Sequence, residues 1–209
     1  MNRLYLFLLP LLAASCIGKN QSHAPKVTVK STVKYSVATK ADTLLINLKK
    51  SSIEWVATEM HGLKRRTGII AFKEGFFLCQ NDKIIGGKFI VDMETIEVTD
   101  VPLDEKTARK NLLNHLKSND FFNVVHYPLS MLVLTSVAQT KNNSLKISGN
   151  LTIREVTKNI EFVAYQEGSN FETAFTFNRL DWNIAYKGSW ANKTLVDKDV
   201  ELKIKITMN

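Results

Sequence analysis

The chain has 209 residues, 44% of them hydrophobic, with 28 basic against 20 acidic side chains and a formal net charge of +8. That length holds one sizeable core, and two cysteines are too few for a disulfide framework. The basic residues are scattered, with Lys64-Arg65-Arg66 as the one tight cluster and no nucleic-acid motif beside it, so the charge fits anionic lipid head groups and nucleic acid is not an expected partner.

Residues 1–15 read as an export signal: Arg3 precedes an apolar run from Leu4 to Leu12 that is too short to span a bilayer, and small residues follow. The ending Leu12-Ala13-Ala14-Ser15-Cys16 resembles a bacterial lipobox, in which the cysteine is acylated and becomes the first mature residue. The other reading is an ordinary signal cleaved near Ala14, leaving Cys16 as a free thiol. Acylation by two chains gives stable membrane attachment. The expected location is the bacterial cell envelope, lipid-anchored. Ile17 stands where an aspartate is linked with inner-membrane retention, so the expected site is the outer membrane, facing the periplasm.

Residues 16–41 are polar, rich in Lys, Ser and Thr, and are expected to form a flexible tether to a single domain over 42–209. From Thr43 onward, short runs of period two predict strands near 43–48, 52–60, 66–72, 75–80 and 84–94. Asp104 is expected to cap an amphipathic helix carrying Ala108, Leu112, Leu113 and Leu116, which stops before Asn119-Asp120. Further strands are predicted near 128–138, 144–153, 158–165, 170–179 and 199–207. Turn signals separate the strands at Lys73-Glu74-Gly75, Asn81-Asp82-Lys83, Lys141-Asn142-Asn143-Ser144 and Glu167-Gly168-Ser169-Asn170. Such short connections predict a mainly β chain in antiparallel meander order, closed to remove its edges, with one helix over an end.

Three stretches carry a family resemblance. Gly86-Gly87-Lys88-Phe89-Ile90-Val91-Asp92-Met93, then His115 to Asn123 with Tyr127-Pro128, then Gly149-Asn150-Leu151-Thr152-Ile153 with Val156-Thr157-Lys158 match in order and spacing. The chain resembles the YceI-like, or polyisoprenoid-binding, family over roughly residues 42–207. The resemblance implies an antiparallel lipocalin-like barrel around an apolar cavity, and a non-enzymatic binding or carrier role for isoprenoids or other long-chain amphiphiles. Two departures stand out. Glu155 replaces a glycine, and Arg65-Arg66-Thr67-Gly68 replaces a histidine before Thr-Gly.

No residues assemble an enzyme. The four histidines share no metal-ligand spacing, no nucleophile elbow is present, and Gly86-Gly87 lacks the context of a phosphate cradle, so neither cofactor, metal nor catalytic residue is expected. In a strand, paired glycines mark a bulge or bend. Asp92 and Glu94 share a face opposite Phe89, Val91 and Met93 and are expected to point outward. The dry faces supply the expected ligand-binding residues: Trp55, Phe72, Phe89, Val91 and Met93 from the first half, and Leu151, Ile153, Phe162, Phe175, Phe177 and Ile204 from the second. Such residues line a cavity or fill a core equally well. Arg179 shares the parity of Phe175 and Phe177, so it either presents an inward cation to a phosphate or quinone oxygen or, beyond the strand end, pairs with Asp181 or a loop carboxylate. The resemblance implies an isoprenoid, quinone or fatty-acyl ligand, with the membrane reached through the Cys16 anchor.

Overall fold

A computed structural model describes residues 24–35, 40–140, 142–185 and 196–209; the expected signal, Cys16 and the start of the tether lie outside the described residues. Two short strands, β1 (Thr28–Lys30) and β2 (Asp42–Leu45), flank a ring of eight. The ring runs β3 (Ser52–Glu59), β4 (Lys64–Gln80), β5 (Lys83–Val98), β6 (Leu129–Gln139), β7 (Ser144–Ile153), β8 (Val156–Glu167), β9 (Asn170–Asn178) and β10 (Val196–Thr207). Each pairs antiparallel with the next, and β10 returns to β3 over most of that strand's length, closing the barrel. Closure leaves the long strands no free edge.

Period-two patterning sets the two faces. Phe171, Phe175 and Phe177 of β9 are buried, as are Leu145, Ile147 and Ile153 of β7, while Lys146 and Glu172 are exposed. The hairpin at Asn81-Asp82 has both residues at positive φ, the mirror-image turn whose twist matches antiparallel strands.

Lys73-Glu74-Gly75 is not a turn. The chain continues through it as the 17-residue β4, and the pairing shifts from Phe72 opposite Val91 to Glu74 opposite Ile90. The extra residue is absorbed as a bulge, which bends a long strand around the barrel. One edge of β4 is thereby divided, its first half pairing with β3 and its last residues with β2. A second irregularity falls beside Gly86-Gly87, where Leu78 opposes Gly86 and Cys79 opposes Ile84. A Cβ on Gly87 would lie 2.7 Å from the Phe76 carbonyl, so this wall admits no side chain there.

The part of the expected tether that is described is not a loose linker. Strands β8 and β9 pair directly only through Tyr165–Glu167 and Asn170–Glu172. Where they splay, the segment from Pro25 to Lys30 enters the seam. Thr28–Lys30 pairs with Asn159–Glu161 of β8, while Val27 N donates to Thr176 O and Thr176 N donates to Pro25 O. The strap then crosses the outside of β7, where the Asn150 side chain accepts from Val33 N and donates to Val33 O. A polar face expected to be wet is therefore covered, and Asn150, Asn159 and Thr176 are buried although they point away from the core.

Helix α1 spans Lys106–Lys117 and sits over one end, against β5. Asp104 does not cap it: Glu105 occupies the N-cap without a side-chain bond, and Asp104 supplies only its backbone carbonyl, to Lys106 N. At the other terminus Phe122 N and Val124 N satisfy the carbonyls of Leu116 and Lys117, folding the following loop back under the helix.

Candidate functional site: two apolar chambers in the barrel

The inward faces do not fill the barrel. Two voids remain along its axis, of about 90 Å³ at the end away from α1 and about 150 Å³ beneath the helix. A single water needs only about 10–15 Å³ on such a measure, and an engineered apolar cavity of about 150 Å³ takes up benzene. The distal chamber is built around an aromatic cluster, with Phe77 at 5.0 Å from Phe89 and 4.6 Å from Phe171, ring centre to ring centre. Phe162 and Phe175 close another wall at 4.9 Å. The helix-end chamber is roofed by Leu112, His115 and Leu116 of α1 and by Phe121 and Phe122 behind it. Ile53, Val91, Ser130, Leu151 and Leu202 line both chambers and form the neck between them.

Every residue expected to face a ligand lies in a chamber wall. Phe72, Phe89, Val91, Leu151, Phe162, Phe175 and Ile204 line the distal chamber, and Trp55, Met93, Ile153, Phe177 and Arg179 line the other, which Val91 and Leu151 also reach. The helix over one end was expected, but its side chains were not placed among the ligand-facing residues. His115, one of the four histidines without metal-ligand spacing, is half-buried in the chamber wall with its ring 5.6 Å from Phe121. The three-and-four spacing of Leu112 and Leu116 carried the signal, since His115 lies between them on the buried side. Ser130 was also missed, and no local pattern marks it: it is a buried hydroxyl donating to the Met93 thioether at 3.1 Å.

Two arginines reach the helix-end chamber and are held differently. Arg66 pairs with Glu59 at 3.3 Å and with Asp100 at 3.0 Å, so its charge is matched at the rim. Arg179 opens a 3-10 turn after β9, keeps its inward parity and is 3% exposed. It does not pair with Asp181; instead Nε donates to Asp197 O at 3.0 Å, Nη2 to Val196 O at 2.8 Å and Nη1 to Ile184 O. Burial lowers the pKa of its guanidinium, with nearby Asp197 opposing the shift. Trp182 beside it is fully buried and donates to Leu151 O at 3.0 Å.

The departure at Glu155 is accommodated by the β7–β8 turn. Arg154 takes the left-handed conformation, donates to Phe121 O at 3.1 Å and lies 3.4 Å from the Glu155 carboxylate. Among the described residues no three His, Cys, Asp or Glu side chains gather as a metal site.

The profile of the YceI-like domain family matches residues 45–208, the whole barrel from the end of β2. The chain belongs to the YceI-like family. A UPF0312 protein of Pseudomonas putida is 29% identical over 136 residues, covering 58% of this chain and 70% of that protein. A UPF0312 protein of Shewanella denitrificans is 34% identical over 95 residues, 46% of each chain. Among solved structures, Burkholderia cenocepacia BcnA superposes with a TM-score of 0.62 at 20% identity, over 77% of this chain and 98% of that one. A polyisoprenoid binding domain from Saccharophagus degradans gives 0.59 at 8% identity, over 81% and 99%. At such identities the likeness is one of fold. The YceI-like fold is a binding fold, and this member keeps its interior open in two chambers.

Proposed function

We propose that this chain is a non-enzymatic carrier of isoprenoid or other long-chain amphiphilic lipids, a quinone or fatty-acyl chain included, working in the bacterial envelope. The observation that carries the reading is the pair of apolar chambers joined through one neck inside a closed barrel. An apolar void costs roughly 24 cal/mol per Å³, so chambers of this size leave about 6 kcal/mol for an apolar occupant to recover. A lipid tail leaving a bilayer is already dry, so exchange between membrane and barrel is close to neutral and selectivity rests on cavity shape and a few polar contacts. A Cys16 lipid anchor at the outer membrane, facing the periplasm, would hold cavity and ligand on one surface and raise their effective concentration.

Solvent extraction of the purified protein followed by mass spectrometry tests the carrier reading. A retained long-chain molecule is expected, and repeated recovery of empty protein from membrane-containing cells would refute it. The anchor is tested separately by Cys16→Ala. That variant should lose acyl mass and membrane attachment, and an unmutated mature protein without acyl mass would remove the anchor from the proposal.

A further inference from the structure

The helix-end chamber has one carboxylate in its wall, Glu59, which is already paired with Arg66, while three deeper polar groups present donors. Trp55 is 7% exposed in the chamber wall, and its indole N–H is buried with no hydrogen-bond partner among the described residues. Indole can only donate. At the neck, the Ser130 hydroxyl donates to a thioether, one of the weakest acceptors a protein offers. Arg179 has five N–H groups and uses three on backbone carbonyls, which leaves one on each terminal nitrogen.

Its charge also has no ion-pair partner in contact. All 20 acidic residues of the chain are among the described ones, and no carboxylate comes within ion-pair distance of Arg179. Asp197 supplies one of those carbonyls and its nearby carboxylate acts on the guanidinium through space, but that carboxylate makes its hydrogen bonds elsewhere, accepting from the Thr58 hydroxyl and from His61 N and Gly62 N in the β3–β4 hairpin. Arg66, at the rim of the same chamber, has two carboxylates. Carbonyl dipoles solvate a guanidinium without neutralising it, and the Phe121 ring 5.6 Å away adds only its quadrupole. A buried cation that shares a largely apolar chamber with an orphaned N–H calls for an acceptor with negative charge.

We propose that the helix-end chamber receives the anionic oxyacid head of an amphiphile, carboxylate or phosphate, at the Trp55 indole N–H and the remaining Arg179 N–H groups, while the tail passes Ser130 into the distal chamber. This deepens the carrier reading and rests on it. It gives the ligand a polarity along the barrel: the head lies under α1 and the tail among Phe77, Phe89, Phe171 and Phe175.

The delipidated full chain, titrated with palmitate, hexadecyl phosphate and 1-hexadecanol in buffer that keeps palmitate ionised, tests this. At least one anion should bind about tenfold or more tightly than the alcohol, the range expected for hydrogen bonds to a charged group. The palmitate and phosphate arms identify which head is preferred. Arg179→Gln should abolish the preference while hexadecanol affinity stays within about twofold. Trp55→Phe stays aromatic and apolar but removes the N–H together with part of the bicycle, so it decides the matter if Arg179→Gln fails to fold; the lost ring volume acts on all three ligands, and the lost N–H should weaken the anion beyond the alcohol. Hexadecanol binding as tightly as both anions, or Trp55→Phe weakening all three equally, would overturn the head site and leave the carrier reading standing. Binding of none of the three overturns both.

Discussion

Replacing Phe175 with tryptophan separates a ligand space from a packed core. Phe175 is 2% exposed, opposes Leu202 of β10, and presents its ring to the distal chamber of about 90 Å³. An indole adds roughly 40 Å³ to a phenyl ring, and filling that much void at about 24 cal/mol per Å³ recovers about 1 kcal/mol. In a domain of this size that is a rise of roughly 2–4 °C in thermal midpoint for the ligand-free protein. The same volume is lost to the lipid tail. Thermal midpoint and lipid occupancy by mass spectrometry, measured on one preparation, should therefore move in opposite directions: stability held or raised, occupancy reduced. Glu172→Gln is the control, because its ion pair with Lys205 at 3.1 Å joins two exposed side chains and contributes little. In a filled barrel the substitution overpacks and costs about 1–3 kcal/mol. A falling midpoint with no lipid in either protein would refute the cavity argument.

Other outcomes follow from the strap and from the remaining thiol. Asn150→Ala leaves Val33 and the Asn159 amide without their partner, and should cost about 1–3 kcal/mol in urea denaturation; a loss below a few tenths would mean the strap is not docked in solution. Lys30 hydrogen-bonds Glu161 and holds its carboxyl below the usual glutamate range. The folded pKa is thus the lower one, so this contact is complete above the unfolded glutamate pKa and is lost as pH falls through the folded value. Amide NMR signals of residues 28–30 should shift over that acid window, and Lys30→Met should erase the shift; an unchanged titration in the variant would assign it elsewhere. Cys79 is a free, half-buried thiol, so Cys79→Ser should change stability by less than about 1 kcal/mol, and one thiol should titrate per unacylated domain that lacks Cys16.

Much of the barrel was legible because period two is a local property. Whether Leu145, Ile147 and Ile153 share a face follows from strand geometry alone, and so does the inward parity of Phe175, Phe177 and Arg179. The same alternation produced the residues of both chamber walls. Edge removal argued for closure and the three-and-four spacing of Leu112 and Leu116 for the helix, while family resemblance added the apolar cavity, which alternation does not contain.

What needed the tertiary structure was every feature set by partners distant in sequence. Lys73-Glu74-Gly75 has turn composition, yet β5 on one edge and β2 and β3 on the other hold β4 straight through it, and the surplus residue becomes a bulge. Residues 24–35 have linker composition, but the splayed β8–β9 seam offers unpaired backbone, and a polar strap can meet that need without any apolar pattern of its own. Asp104 has the chemistry of a cap but lies one residue too early for the N-cap position that the fold assigns to Glu105. The state of Arg179 is decided the same way. Parity turned it inward, while only the positions of Ile184, Val196 and Asp197 show that carbonyls and no carboxylate receive it. Alternation specifies which side chains face the axis; the space left between them depends on strand number, bulges and the helix overhead, and that space is where a ligand would sit.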